Sequence, residues 1–302
     1  GGSLLLRIGM RLSEVAPDLA KQTVADAVTI GVMSQPEDIC LLRHDGSGKN
    51  AFKNPLSFRY LDDNFIESDA VKIGKTFMDY LKKTKDPRIH VYCSLKDGNT
   101  EFDKQFGLPN GYDSHTIADA PSGSFVGLEN TSNFNINTIL RLDAPTIFLM
   151  PSETKLLLAE AVLRNWTNGN AEVLYKEAIT SSMKEQEIAY GTQGKITDEE
   201  IETYLAQNLF STANNTEKLQ IIGEQYWVAT FINGYESYAN WRRTGYPKLI
   251  PTNYSGSMSP GVIPTRLPYP TDEYSINRAN VDTANQQQGA DKVTTHIWWD
   301  ID

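Results

Sequence analysis

Side chains able to bind a metal ion or to act as nucleophiles are few and scattered along the sequence. No pair of histidines has the spacing of a metal-ligand motif, and the two cysteines, Cys40 and Cys93, are too few for a disulfide scaffold. Glycine-rich phosphate loops and a nucleophile elbow are also missing from the sequence. We therefore expect no cofactor and no bound metal. The four histidines are His44, His90, His115 and His296.

Carboxylates are abundant, since 38 of the 302 residues are Asp or Glu. A glycoside hydrolase needs only two of them facing one cleft. With so many acids no pair stands out, so we interpret the chain as a non-enzyme and keep a glycoside hydrolase as the least favoured alternative. The acids on or near irregular segments are Asp103, Asp113, Asp119, Asp143, Asp272 and Glu273.

A long segment over 96–137 combines aromatic residues with Asn, Asp and Ser and has no helical or strand period. Aromatic rings can stack on the apolar faces of sugars, while amides and carboxylates hydrogen-bond to hydroxyl groups. Tyr112, between two turn-forming residues, is the ring most readily placed at the surface. The candidate ligand-binding residues are Tyr112, Phe106, Asn133 and Asp113.

Composition limits the class of protein. The chain is 40% hydrophobic and 22% charged, which is enough apolar material for a full-sized core. Its formal net charge of −10 argues against nucleic acid as a partner. No apolar run approaches the roughly 20 residues of a membrane-spanning helix. The opening Gly-Gly-Ser has none of the features of a signal peptide.

Hydrophobic periodicity predicts a mostly α-helical chain with long irregular loops and a few short strands. Strands are expected over 39–43 and 294–300, and the segment 246–289 is expected to be irregular. Core packing is expected for Trp227, Trp241, Trp298 and Trp299. Helices are expected over 4–13, 19–28, 69–83, 153–166, 171–186, 198–207, 216–233 and 236–242.

Small and large residues alternate along the helices at 153–186 as they do in tetratricopeptide (TPR) helix pairs. We therefore expect a single unit over 1–302, with a helical body, the loop 96–137 and an extended segment 246–302. A TPR-type protein–protein scaffold remains an alternative; it predicts a concave groove and no exposed aromatic platform. The matching residues are Leu158, Ala159, Val162, Ala171, Tyr175 and Ala178, and again Leu219, Ile222, Gly223 and Tyr226.

An ordered set of motifs covers nearly the whole chain and resembles the SusD/RagB family, the glycan-binding outer-membrane lipoproteins of the Bacteroidetes. The motifs are LLLAEAVLRNW (156–166), AEVLYKEAITSSM (171–183), NGYESYANWRRTGYP (233–247), IPTRLPYPTDEYSIN (263–277) and HIWWD (296–300).

The resemblance implies a SusD-like α fold in which TPR-like helix pairs carry the loops of a glycan site. It implies binding of oligo- or polysaccharide at the cell surface without hydrolysis, and delivery to a SusC-like TonB-dependent transporter. Family members are attached to the outer membrane by an N-terminal lipidated cysteine, and neither Cys40 nor Cys93 is in such a position. The first residues resemble the middle of family members, so we also expect an exposed apolar face where the preceding helices would pack. We further expect Arg242 and Arg243 to pair with buried acids or carbonyls.

Overall fold

The structure is a computed structural model that describes residues 1–47, 49, 52–62, 72–210, 212–254 and 256–301. Within these ranges the chain is mostly helical, as predicted, and its strands are short. The helices are α1 (Gly2–Arg11), α2 (Pro17–Ile30), α3 (Pro55–Asp62), α4 (Lys75–Thr84), α5 (Ile89–Tyr92), α6 (Pro151–Leu163), α7 (Ala171–Tyr190), α8 (Asp198–Gln207), α9 (Asn215–Ala229), α10 (Gly234–Thr244), α11 (Thr271–Ile276) and α12 (Arg278–Gln288). The strands are β1 (Cys40–Leu42), β2 (Cys93–Ser94), β3 (Asn133–Phe134) and β4 (Thr146–Leu149).

The strands pair antiparallel in two small ribbons, β1 with β4 and β2 with β3. The first ribbon confirms the strand predicted over 39–43. The second joins the end of the long loop to the chain just after α5. None of the described helices is long and apolar enough to span a membrane.

Several helix ends follow capping signals in the sequence. The Asn170 side chain accepts hydrogen bonds from the backbone N–H groups of Glu172 and Val173 at the start of α7. Asn214 and Glu217 form a reciprocal capping box at the start of α9. Gly245 ends α10 in the left-handed conformation (φ +66°), which glycine adopts without strain.

The helix pairs meet through the small and aromatic residues expected from the TPR pattern. Helix α6 packs on α7 and α9, and α1 packs on α2. Ala159, Tyr175, Ala178 and Tyr226 are all at most 2% exposed and belong to one cluster of buried side chains. The predicted packing of α6 on α7 is thus confirmed, and the small and aromatic residues of the pattern are buried in it.

The arginine pairings expected from the WRRTGYP motif are also present. The Arg243 guanidinium binds both carboxylate oxygens of Glu160 at 2.6 and 2.7 Å, and Arg242 donates to the Thr265 carbonyl. Several apolar side chains of α1 and α2 are 42–65% exposed, and the expected docking face for further helices stays a prediction. They are Leu4, Ile8, Leu19, Val28 and Ile30.

The start of the predicted helix 69–83 is wrong. Residues 69–71 lie outside the described residues, and residues 72–74 precede α4. The backbone N–H of Ile73 donates to the Ser132 carbonyl, and the Ile73 carbonyl accepts from Leu108. These bonds to the long loop hold Ile73 outside the helix, and α4 begins at Lys75.

The C-terminal segment departs further from prediction. Helices α11 and α12 form within 246–289, which was expected to be irregular. The sequence of α12 has no apolar period, because Val281 is the one residue that this helix buries. Residues 294–300 consist of turns and irregular backbone, so the strand predicted there is wrong. Helices α3 and α5 were also not predicted; α3 begins at Pro55, and α5 is one turn long.

Of the four tryptophans, Trp227 packs against the core as predicted. The prediction is wrong for Trp298, which is 67% exposed. Trp241 and Trp299 are half-buried outside the core cluster, where Trp241 stacks on Tyr238 and Trp299 lies beside Arg242. The Trp241 ring is stabilised by stacking on a second ring, and the Trp299 ring by a guanidinium above its face, instead of by burial in the core.

Candidate binding cleft

The long loop and the C-terminal extended segment meet beside the start of α4, and together they enclose a cleft. We call it the loop cleft: it is lined by the α4 residues Lys75, Thr76 and Asp79, by loop residues between 109 and 124, and by residues between 249 and 264. It consists of two adjoining cavities of about 440 and 480 Å³ that share several lining residues. This volume suits a small oligomeric ligand.

Backbone hydrogen bonds attach the long loop to α4. The Lys75 N–H donates to the Leu108 carbonyl at 2.7 Å, and the Leu108 N–H donates to the Ile73 carbonyl at 2.7 Å. Gly107 permits this approach, since a Cβ there would lie 2.4 Å from the Lys75 Cα. The loop is therefore fixed by main-chain atoms, which leaves its side chains available to the cleft.

A second attachment joins the loop to the extended segment. The Tyr254 hydroxyl donates to Asp113 Oδ2 at 2.6 Å, and the backbone N–H groups of His115 and Thr116 donate to Asp113 Oδ1. Donation by Tyr254 and then by these N–H groups holds the pKa of Asp113 well below its usual range. The same bond raises the pKa of Tyr254. Asp113 therefore acts as an ionised anchor for both segments.

Gly111 allows a close approach between the two walls. Its φ of +87° is readily adopted only by glycine, and a Cβ there would lie 2.9 Å from the Thr252 Cβ. The neighbouring Tyr112 is half-buried and lines the cleft.

The inner wall of the cleft is aromatic. Trp227 of α9 lines the cavity and meets Phe77 edge-on, with ring centroids 4.9 Å apart. Phe77 in turn stacks on Phe231 at 4.2 Å. The indole is therefore held rigidly by the core while part of its surface remains open to the cavity.

Four polar side chains of the lining have no partner inside the protein. In the described part of the chain, the side chains of Thr76, Asn110 and Asn253 make no hydrogen bond, and the buried Ser124 Oγ has none either. Unpaired hydroxyl and amide groups beside aromatic rings can bind a ligand that is apolar on its faces and rich in hydroxyls at its edges.

The cleft has few carboxylate side chains. Among the described lining residues Asp79 is the one carboxylate, and Lys75 Nζ pairs with it at 2.7 Å. Hydrolysis of a glycosidic bond needs two carboxyl groups facing one another. Within the described ranges, no three His, Cys, Asp or Glu side chains converge as a metal site would require.

The comparison with known protein families agrees with the fold. A family model described as SusD-like, Susd and RagB outer membrane lipoprotein, matches residues 1–300. The chain belongs to the SusD-like family. A search of curated proteins returned no match.

Solved structures resemble this SusD-like chain over its whole length. A chitin-binding protein shares 29% identity with a TM-score of 0.82, and the chain covers 64% of it. A SusD-like protein, Bacteroidetes AC2a, shares 26% identity with a TM-score of 0.81 and 69% coverage. A chitin-binding SusD homologue from Flavobacterium johnsoniae shares 25% identity with a TM-score of 0.79 and 62% coverage. All three matches cover 100% of this chain, which thus spans about two thirds of their lengths.

The four residues predicted to bind ligand occupy different places in the SusD-like fold. Tyr112 lines the loop cleft. Asp113 does not line it, but it accepts the hydrogen bond from Tyr254 that joins the two segments beside it. Phe106 is 39% exposed but lies under Lys82, whose Nζ is 4.2 Å from the ring centroid, and is not among the lining residues. Asn133 is fully buried in β3, so it offers no surface to a ligand. We keep Tyr112 as a candidate contact and omit Phe106 and Asn133.

Sequence reasoning missed most of the lining. Trp227 follows the helical apolar period, which made it look like core alone. Asn110 lies in the loop but was not singled out, and Asn253 lies in the extended segment. The signal that could have found Asn253 is the proline- and glycine-rich composition of 246–264, which is typical of a surface loop.

Proposed function

We propose that this SusD-like chain binds oligo- or polysaccharide in the loop cleft and does not hydrolyse it. The observation that carries the proposal is the pairing of two rings, Trp227 and Tyr112, with polar side chains that have no internal partner. A sugar ring presents an apolar face to such rings and hydroxyl groups to such amides.

The comparisons support a more specific ligand. Two of the similar structures are named as chitin-binding, at 29% and 25% identity. We therefore propose chitin oligosaccharides as the first ligands to test. The acetamido groups of such a chain offer the neutral hydrogen-bonding groups that Asn110 and Asn253 can pair with.

The family description supports a cellular location for the protein. We propose that it works at the surface of the outer membrane, attached through a lipidated cysteine upstream of Gly1, and that it delivers glycans to a SusC-like TonB-dependent transporter. No part of this role needs contact between the described helices and the interior of the membrane.

The two other functions considered from sequence are less well supported. A TPR-type scaffold predicts a long loop without an aromatic platform, whereas Tyr112 and Trp227 both line the cleft. A glycoside hydrolase predicts two facing carboxylates, whereas the described lining has Asp79 alone, paired with Lys75.

The test is a binding screen with several polysaccharides and chitin oligosaccharides, in which released reducing sugar is measured in the same samples. We expect binding without release. Tyr112→Ala should weaken binding about fivefold, in line with the loss of a stacked ring worth ~1 kcal/mol. Tyr235→Ala is the matched control, because Tyr235 is 92% exposed and does not line the cleft.

Three results would contradict the proposal. Release of sugar would favour the hydrolase, and absence of binding to every glycan would favour the scaffold. Equal binding by the Tyr112→Ala variant and the wild type would remove the loop cleft as the site.

A further inference from the structure

A second groove lies beyond the far end of α4. We call it the α8 groove: it is bounded by the turn between α4 and α5, by residues 100–102 of the long loop and by one exposed face of α8, and its volume is about 550 Å³. Its floor contains Pro87 and the half-buried ring of Phe102.

The rim of this groove offers hydrogen-bonding groups that the fold does not use. Within the described ranges, the side chains of Thr100, Thr203 and Gln207 make no hydrogen bond. A ring and a proline below and hydroxyl and amide groups above form the same combination as in the loop cleft.

One face of α4 runs from the loop cleft toward the α8 groove. Lys75, Asp79 and Lys82 follow one another at positions i, i+4 and i+7, so they share one face of the helix. Lys75 and Asp79 line the loop cleft, whereas Lys82 Nζ lies 5.9 Å from the ring centroid of Phe102, on the floor of the α8 groove. The backbone rise between Lys75 and Lys82 is about 10 Å.

We propose that the α8 groove is a second subsite for the same polysaccharide, whose chain runs along α4 from the loop cleft. This proposal rests on the function proposed above. Charge favours a neutral glycan over a polyanionic one, because the lining carries two carboxylates, Glu199 and Glu200, against one lysine, Lys85. The occupant is therefore an uncharged sugar polymer long enough to reach both sites.

The two-site arrangement makes a prediction about ligand length. A short oligosaccharide fills the loop cleft alone, whereas a polymer contacts both sites. Once the polymer is bound in the loop cleft, its contact with the α8 groove is intramolecular, so the second site raises the overall affinity. The variant Thr203→Ala/Gln207→Ala removes two rim groups on exposed positions of α8 and should leave folding intact.

The experiment compares the Kd of a chitin disaccharide with that of soluble long-chain chitin derivatives. We expect Thr203→Ala/Gln207→Ala to weaken polymer binding about tenfold and to leave disaccharide binding unchanged. Tyr112→Ala should weaken both. Glu202→Ala is the matched control on α8, since Glu202 is exposed but does not line the groove.

Each other result has a definite meaning. Unchanged polymer affinity in the double variant overturns the second subsite and leaves the loop cleft standing. An equal loss for disaccharide and polymer assigns the two residues a structural role, which also overturns it. Absence of binding to either ligand by the wild type overturns this subsite together with chitin as the ligand.

Discussion

The buried helical body and the loop cleft use charged groups in opposite ways. In the body, the Arg88 guanidinium and the Asp86 carboxylate are both fully buried and lie 2.5 Å apart. Arg88 also donates to Ser182 and Gln225. At the cleft, Lys75 and Asp79 form an ion pair with their side chains 35% and 56% exposed.

The difference follows from solvation. A charge removed from water needs a complete set of partners inside the protein, whereas an exposed charge keeps its water. Alteration of a buried pair should therefore lower the free energy of unfolding. Alteration of the cleft should lower ligand affinity and leave the fold in place. The following predictions test that contrast.

The largest effect is expected for Asp86→Ala. The substitution leaves the Arg88 guanidinium buried without its counter-ion, so we expect the free energy of unfolding to fall by about 3–5 kcal/mol. Urea denaturation followed by far-UV circular dichroism measures it. Asp79→Ala is the matched control and should change stability by less than about 0.5 kcal/mol. Equal losses in the two variants would contradict the contrast.

A smaller effect is expected from Glu185, a buried acid of α7. Burial raises its pKa from 4.5 to about 7, although Ser152 donates to it through both its hydroxyl and its backbone N–H. Lys155 lowers the pKa of Glu185, and Glu153 raises it.

Because the pKa of Glu185 is higher in the folded state than in the unfolded chain, the folded state holds the proton more tightly. Stability from this group is present below about pH 4.5 and is lost as the pH rises toward about 7, by a total on the order of 3 kcal/mol. Glu185→Gln should remove that part of the pH dependence in urea denaturation, and Glu202→Gln should not. A pH profile shared by the wild type and Glu185→Gln would refute this assignment.

The smallest effect on stability is expected for Tyr254→Phe. The variant loses the hydroxyl that joins the extended segment to Asp113. Amide hydrogen exchange should become severalfold faster over 113–119, while the urea midpoint stays unchanged. Tyr235→Phe is the control, since its hydroxyl makes no hydrogen bond in the described structure. A large shift of the midpoint would place this bond with the buried body instead.

Sequence patterns predicted the body well because each helix has to bury one face. The pairing of α6 with α7 could be predicted from the spacing of Ala159, Tyr175 and Ala178, all of which are buried. Helix α12 was not, because it buries Val281 alone and the sequence around it is polar. The final HIWWD segment resembled a strand, but its tryptophans are exposed or stacked on other side chains at the surface.

The candidate site was less predictable because its parts are far apart in the chain. Tyr112 could be picked out from loop composition alone. Trp227 could not, since the same indole packs against Phe77 and lines the cleft. Asn133 appeared to be a polar loop residue, yet its pairing in β3 places it inside the protein.

The attachment of the long loop through main-chain atoms has a consequence for diversification. The bonds that join Ile73, Lys75, Leu108 and Ser132 use backbone N–H and carbonyl groups, which every residue except proline supplies. Loop positions between Leu108 and Ser132 can therefore be randomised in a combinatorial library without loss of these backbone bonds. With Gly107, Gly111 and the anchoring Asp113 held constant, this SusD-like framework is suited to the selection of new ligand specificities.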